Sequence, residues 1–253
     1  MNASILSIAM FMVLVVYLVL FWSWATYQAG RNLGEDLKTQ KRWWWGFGIG
    51  ITLWLGISGA LAGTGVLRLF SAKPPPVAIF LVTLFIIAGW VALGPFGKRL
   101  IGGVGIAYLI GFQVFRLFIE LIFHRLVIEG VMPVQMTYLG LNFDIVSGIS
   151  AAFVAYLYAK GSMPRWGIWV WNIVCFGLLM TIITIAVLSI PLPIRMFMNE
   201  PANVFITYLP FIWLPGFLVL SALIGHLLIF RWLLSEAVEK QKHTAPKLAS
   251  NLA

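Results

Sequence analysis

Seven apolar runs, each roughly 20 residues long, follow one another along the chain, at 4–27, 45–70, 76–94, 103–126, 143–160, 166–190 and 205–233. A helix of about 20 apolar residues spans the hydrocarbon of a bilayer, whereas a barrel strand needs only about 10 residues of alternating polarity. The runs therefore predict helices, because only structures that satisfy their own backbone hydrogen bonds survive in lipid. The breaks between runs are explicit. Arg31 to Arg42 is charged, and Lys73-Pro-Pro-Pro76 cannot continue a helix. Gly94-Pro-Phe-Gly-Lys-Arg99 and Lys160-Gly-Ser-Met-Pro-Arg165 read as turns, and Pro191, Pro193 and Pro201 precede the last run. Charged residues are only 10% of the chain and hydrophobic residues 61%. A soluble domain carries about 25% charge. The expectation is an all-α integral membrane protein, one bundle of seven transmembrane helices over residues 1–253 with a short solvated tail at 240–253.

The first run reads as a retained span. No Lys or Arg precedes it, and its core exceeds the roughly 7–15 residues of a signal peptide. Orientation follows from the basic residues. Arg31, Lys38, Lys41, Arg42, Lys98, Arg99, Lys160, Arg165, Arg231, Lys240, Lys242 and Lys247 share one side, which is 12 of the 17 Lys and Arg residues. By the positive-inside rule the N-terminus is outside and the C-terminus cytoplasmic. This distribution accounts for the net charge of +9 without a nucleic-acid partner. Trp22, Trp24, Trp43, Trp44, Trp45, Trp166, Trp169 and Trp232 cluster at the same ends and read as an interfacial belt. Glu35 and Asp36, and Glu236 and Glu239, read as solvated partners of nearby basic residues. In the second run, Gly59 and Gly63 form a GxxxG pair, the spacing that lets two helices approach closely. The expected partners are the lipid bilayer, a small polar or ionic ligand and a second copy of the chain.

The fourth run carries a polar stripe. Gln113, Arg116, Glu120 and His124 fall within an arc of roughly 80° at about 100° per residue. An ionisable group at the bilayer centre costs on the order of 3 kcal/mol, so this arc must face protein or water. Two outer connections add polar groups: Asn142 and Asp144 in the first, Arg195, Glu200 and Asn203 in the second. Together with Arg116, Glu120 and His124 they outline an outward-facing pocket.

Three readings of the stripe compete. In the first, Arg116 pairs with Glu120 at i,i+4 spacing, Asp144 caps a helix, and the network only fixes helix orientation. In the second, the preferred one, the pocket binds or transports a small polar or ionic solute. Arg116 then receives an anionic group, and Glu120 and His124 act as proton or cation sites. In the third, a divalent metal sits on His124, Glu120 and Asp144 for hydrolysis, although no metal motif is present. A non-catalytic sensor or assembly role is the remaining alternative. His226 reads as a satisfied core histidine. Cys175 is the only cysteine, so no disulfide forms within the chain.

Seven spans invite comparison with retinal proteins, but no lysine lies in any span to form the Schiff base. The three histidines of ceramidase-like hydrolases are also missing, since only His124 and His226 lie in the runs. The segments Glu129-Gly-Val-Met-Pro-Val-Gln-Met-Thr137, Asn142-Phe-Asp144, Asn199-Glu-Pro-Ala-Asn203 and Phe211-Ile-Trp-Leu-Pro215 resemble a family of bacterial multi-pass inner-membrane proteins of unknown function. The resemblance covers about the C-terminal half. It implies a bacterial inner membrane and assigns no role to any residue.

Overall fold

Each helix starts and stops where its sequence supplies a cap. α1 (Ile5–Asn32) begins at Ser4, whose hydroxyl accepts from the Ser7 amide at 3.2 Å, and the chain turns at Gly34 with φ 65°. α2 (Leu37–Thr64) begins on Asp36, whose carboxylate accepts from the Lys38 amide at 3.1 Å, and stops at Gly65 with φ 79°. α3 (Pro76–Leu93) and α4 (Pro95–Gly103) both open on proline, which loses nothing at a position where the N–H has no helical partner. α5 (Ile106–Gly111), a 3₁₀ turn and α6 (Phe115–Ile128) run on as one apolar segment, Ile106–Ile128. α7 (Ile145–Ala159) and α8 (Arg165–Leu188) follow. A π-helical turn (Leu214–Val219) then leads into α9 (Leu220–Ser250). This computed structural model describes residues 3–250, with side chains to residue 235. The tail expected at 240–253, and Glu236 and Glu239, lie outside the described side chains. No strand occurs among the described residues.

Six helical segments are long and apolar enough to cross a membrane. The fifth expected span, α7, has 15 residues. At 1.5 Å per residue it reaches about 22 Å, short of the roughly 30 Å hydrocarbon thickness.

The bundle is not equally buried. Ile106–Ile128 and Leu214–Ser235 each bury 61% of their apolar window, against 17% for α2. These two segments form the centre, and α2 lies outermost. Two glycines bring neighbours onto the centre. A Cβ on Gly148 of α7 would collide with the backbone of Leu117 in α6. A Cβ on Gly225 of α9 would stand 2.6 Å from Phe112 and 2.8 Å from Gln113. Both close approaches matter to the site described next.

Several expectations need correction. Residues 94–99 do not form a simple turn: Pro95–Gly103 is a helix, held by Arg99, which is buried and bonded to Glu35 at 2.8 Å and to the Thr26 carbonyl at 2.7 Å. Glu35 is thus a bidentate ion-pair partner, not merely solvated. The charged break at 31–42 is mostly helical, because α1 and α2 both extend into it. Trp22 is no belt residue; it is buried and donates to the Ser221 hydroxyl at 3.1 Å. Among the described residues, the glycine pair in α2 seats no helix. Gly63 has open space beside it, and Gly59 meets only side chains, Leu209 at 3.4 Å and Trp213 at 3.8 Å.

Candidate functional site

Arg116 is the hub of the buried polar groups. Its side chain is 2% exposed. Its Nε donates to Asp144 Oδ2 at 2.7 Å, and Nη2 donates to Asp144 Oδ1 and to the Cys175 carbonyl at 3.2 Å. Nη1 lies 2.8 Å from His226 Nε2. A guanidinium only donates, so His226 Nε2 accepts and the ring proton sits on Nδ1. That proton goes to Asn172 Oδ1 at 2.7 Å, and Asn172 Nδ2 donates back to the His226 carbonyl at 3.2 Å. His226 is therefore neutral. The expected pairing of Arg116 with Glu120 is replaced by one with Asp144. The close seat of α7 at Gly148 explains the change, because it brings a full bidentate carboxylate to the guanidinium. Asp144 stands at the start of α7 but makes no side-chain cap bond.

Glu120 occupies the other end of the cluster. It is 1% exposed. Its Oε1 accepts from Asn142 Nδ2, which also donates to the Met136 carbonyl at 3.0 Å. Asn142 Oδ1 accepts the Asp144 backbone amide at 3.0 Å, so one asparagine ties the Glu120 carboxylate to the backbone at the start of α7. The Tyr138 backbone amide approaches the Glu120 carboxylate, but no hydrogen bond of sound geometry reaches Oε2. Glu120 Oε2 is thus buried and unpartnered.

Glu120 lines a cavity of about 100 Å³. Arg116, Glu120 and Asp144 are the only polar residues in its lining. The rest is apolar: Leu81 and Leu84 from α3, Phe115 and Ile119 from α6, Leu179 and Ile183 from α8, Pro215 and Leu218 from the π turn. That turn leaves backbone carbonyls without regular helical partners. The Trp54 indole donates to the Gly216 carbonyl at 2.7 Å and so completes it from α2.

The other expected pocket residues stand apart. His124 does not line the cavity; it stacks on Tyr138 with ring centroids 5.4 Å apart, and its Nδ1 is buried without a partner. Arg195 and Glu200 pair with each other at 2.9 Å and brace their own exposed loop, where Arg195 also bonds the Phe197 and Asn199 carbonyls. The hydrogen bond from Arg195 holds the Glu200 carboxyl below the ordinary carboxylate range. Asn203 is buried behind the cavity wall, donating to the Ala186 carbonyl at 2.8 Å. Among the described residues, no three His, Cys, Asp or Glu side chains are grouped to hold a metal. His124, Glu120 and Asp144 do not converge, because Asp144 is committed to Arg116 and His124 to Tyr138.

Glu129, just after α6, serves α1. It accepts from the Ser4 amide at 2.9 Å, the Ser4 hydroxyl at 2.6 Å and the Ser7 hydroxyl at 2.7 Å. Burial tends to raise its carboxyl pKa, but these bonds and the Arg125 charge outweigh burial and lower it.

Sequence reasoning missed Asn172 and the joining of His226 to Arg116. Asn172 is the only amide side chain in α8, and that isolation was the available signal. No family model matches the chain, and no curated protein or solved structure shows significant similarity to it.

Proposed function

We propose that this chain is a membrane-embedded protein that binds or transports a small polar or ionic solute, with Glu120 as the group that receives it. One observation supports this reading above the others: Glu120 lines a cavity and its Oε2 is buried without a hydrogen-bond partner. The charge balance points the same way. Arg116 carries one positive charge, Asp144 cancels it, and His226 is neutral, so an ionised Glu120 is uncompensated. A bare carboxylate in hydrocarbon costs many kcal/mol and must take up a proton or a cationic partner. Arg116, expected to receive an anionic group, already has its charge balanced by Asp144 and four of its five N–H donors engaged by Asp144, His226 and the Cys175 carbonyl, so the solute's contact is a donor or a cation.

The same reading includes seven spans, with α7 as a short fifth. It also includes an outside N-terminus, a cytoplasmic C-terminus and a bacterial inner membrane. The positive-inside distribution and the resemblance described above support these features.

The test is native mass spectrometry of protein released from the membrane. Wild type is expected to retain a small-molecule adduct that Glu120→Gln loses while it stays folded. Identical spectra for the two proteins would overturn the reading.

A further inference from the structure

The shape of the cavity says where its ligand comes from. The walls from α6, the π turn and α9, such as Phe115, Ile119, Leu218 and Leu223, are buried. The walls from α3 and α8 are buried at Leu84, Leu179 and Ile182 but come to the surface beside them: Phe85 is 45% exposed, and Leu81, Ile183 and Val187 are half-buried. α3 and α8 both pack on α9 but make no extended contact with each other. The cavity therefore opens through a slot between them. The neighbouring surface of α3 is exposed and apolar at Val82 and Ile86. Phe85 stands at the middle of α3, far from either end of the span. The slot thus faces the hydrocarbon of the bilayer, not the water on either side.

Three properties of the site then select an occupant. Its lining includes Glu120, a buried carboxyl with one unpartnered oxygen and no counter-charge of its own. Its walls are otherwise aliphatic and aromatic. Its volume, about 100 Å³, is below the roughly 150 Å³ that holds one benzene. That space takes a head and the first few methylenes of a single chain, and excludes the paired chains of a bilayer lipid.

We propose that the α3–α8 slot is a lateral portal for a single-chain cationic amphiphile, a long-chain primary amine. Its ammonium donates to Glu120 Oε2, and its chain leaves past Phe85 and Ile183 into the bilayer. This inference rests on the reading of Glu120 as the receiving group. Neutralising the carboxylate by a cation that brings its own apolar tail satisfies the charge and the walls together. A small hydrated cation would have to shed its water in a cavity with few polar groups to replace it.

The experiment uses the full chain in phosphatidylcholine nanodiscs, with empty nanodiscs subtracted. Radiolabelled dodecylamine, dodecanol and ethylamine are the probes. Dodecylamine is expected to bind at one per chain, with at least tenfold weaker binding of dodecanol and ethylamine. Glu120→Gln should weaken dodecylamine at least tenfold. Ile183→Trp, which narrows the slot without touching the carboxylate, should slow its uptake several-fold, and the unfolding temperature reports whether either variant is folded. If ethylamine binds as well as dodecylamine and both need Glu120, the portal is wrong and the Glu120 reading stands. If dodecanol matches dodecylamine, the cationic head is wrong. If dodecylamine binding ignores Glu120→Gln, or is absent along with ethylamine binding, both proposals fall.

Discussion

The two ends of the buried polar cluster handle a carboxylate in opposite ways. At the Arg116 end, Asp144 receives a bidentate guanidinium and the Ser147 hydroxyl, and the guanidinium passes on to His226 and Asn172. Every strong group there has a partner. At the Glu120 end, one oxygen is bonded to Asn142, the other has no hydrogen-bond partner, and the residue lines a cavity. Both carboxylates are almost fully buried, at 5% for Asp144 and 1% for Glu120. Burial therefore does not distinguish them; satisfaction does. A closed network specifies how helices meet, whereas an open valence at a cavity is free to recognise something else.

The comparison breaks most readily at Asp144. Asp144→Asn leaves Arg116 buried without a counter-charge, and a loss of roughly 3–5 kcal/mol is expected from reversible unfolding in mixed detergent. A loss under about 1 kcal/mol would mean that Glu120 takes over the guanidinium, and the two ends would not be distinct. Next comes His226→Leu, which removes the acceptor for Arg116 Nη1 and the donor to Asn172. The expected cost is about 1–3 kcal/mol. The double variant with Asn172→Leu should cost less than the sum of the two single changes, since the two side chains share one bond.

Glu129 gives a smaller effect at the edge of the bundle. Its folded carboxyl lies below its unfolded value, so its contribution is fully present above the ordinary carboxylate pKa. That contribution is lost as pH falls through the depressed value. Glu129→Gln should cost about 1 kcal/mol at neutral pH and nothing at the acid end, which a pH series of unfolding temperatures would show. Smallest of all is Glu120→Gln, expected to shift stability by less than about 0.5 kcal/mol, because the changed atom has no partner to lose. A cost near that of Asp144→Asn would make Glu120 a structural residue.

The individual residues of the cluster were legible in the sequence because lipid makes polar groups conspicuous. Arg116, Glu120 and Gln113 are buried as their shared arc requires. Their pairing was not legible. The i,i+4 spacing favoured Arg116 with Glu120, and nothing local announced that α7 would seat against Leu117 or that Gly225 would admit α9 beside Gln113. His226 reads as a satisfied core histidine, but its partner was not legible: it lies in the last apolar run, and packing alone sets it 2.8 Å from Arg116. Arg195 and Glu200 were grouped with the pocket on sidedness alone, and a bond between neighbours in their own loop satisfies them.

Hydropathy and helix-breaking residues by themselves determined that this chain is helical and membrane-embedded. They also determined that its buried charges cannot face lipid, because transfer free energy acts on each residue wherever its helix ends up. Which carboxylate is paired, which is left open, and where the cavity reaches the bilayer were decided only by tertiary packing. Those outcomes depend on distances of a few ångströms between helices far apart in sequence, set by close approaches at Gly148 and Gly225 and by the gap between α3 and α8.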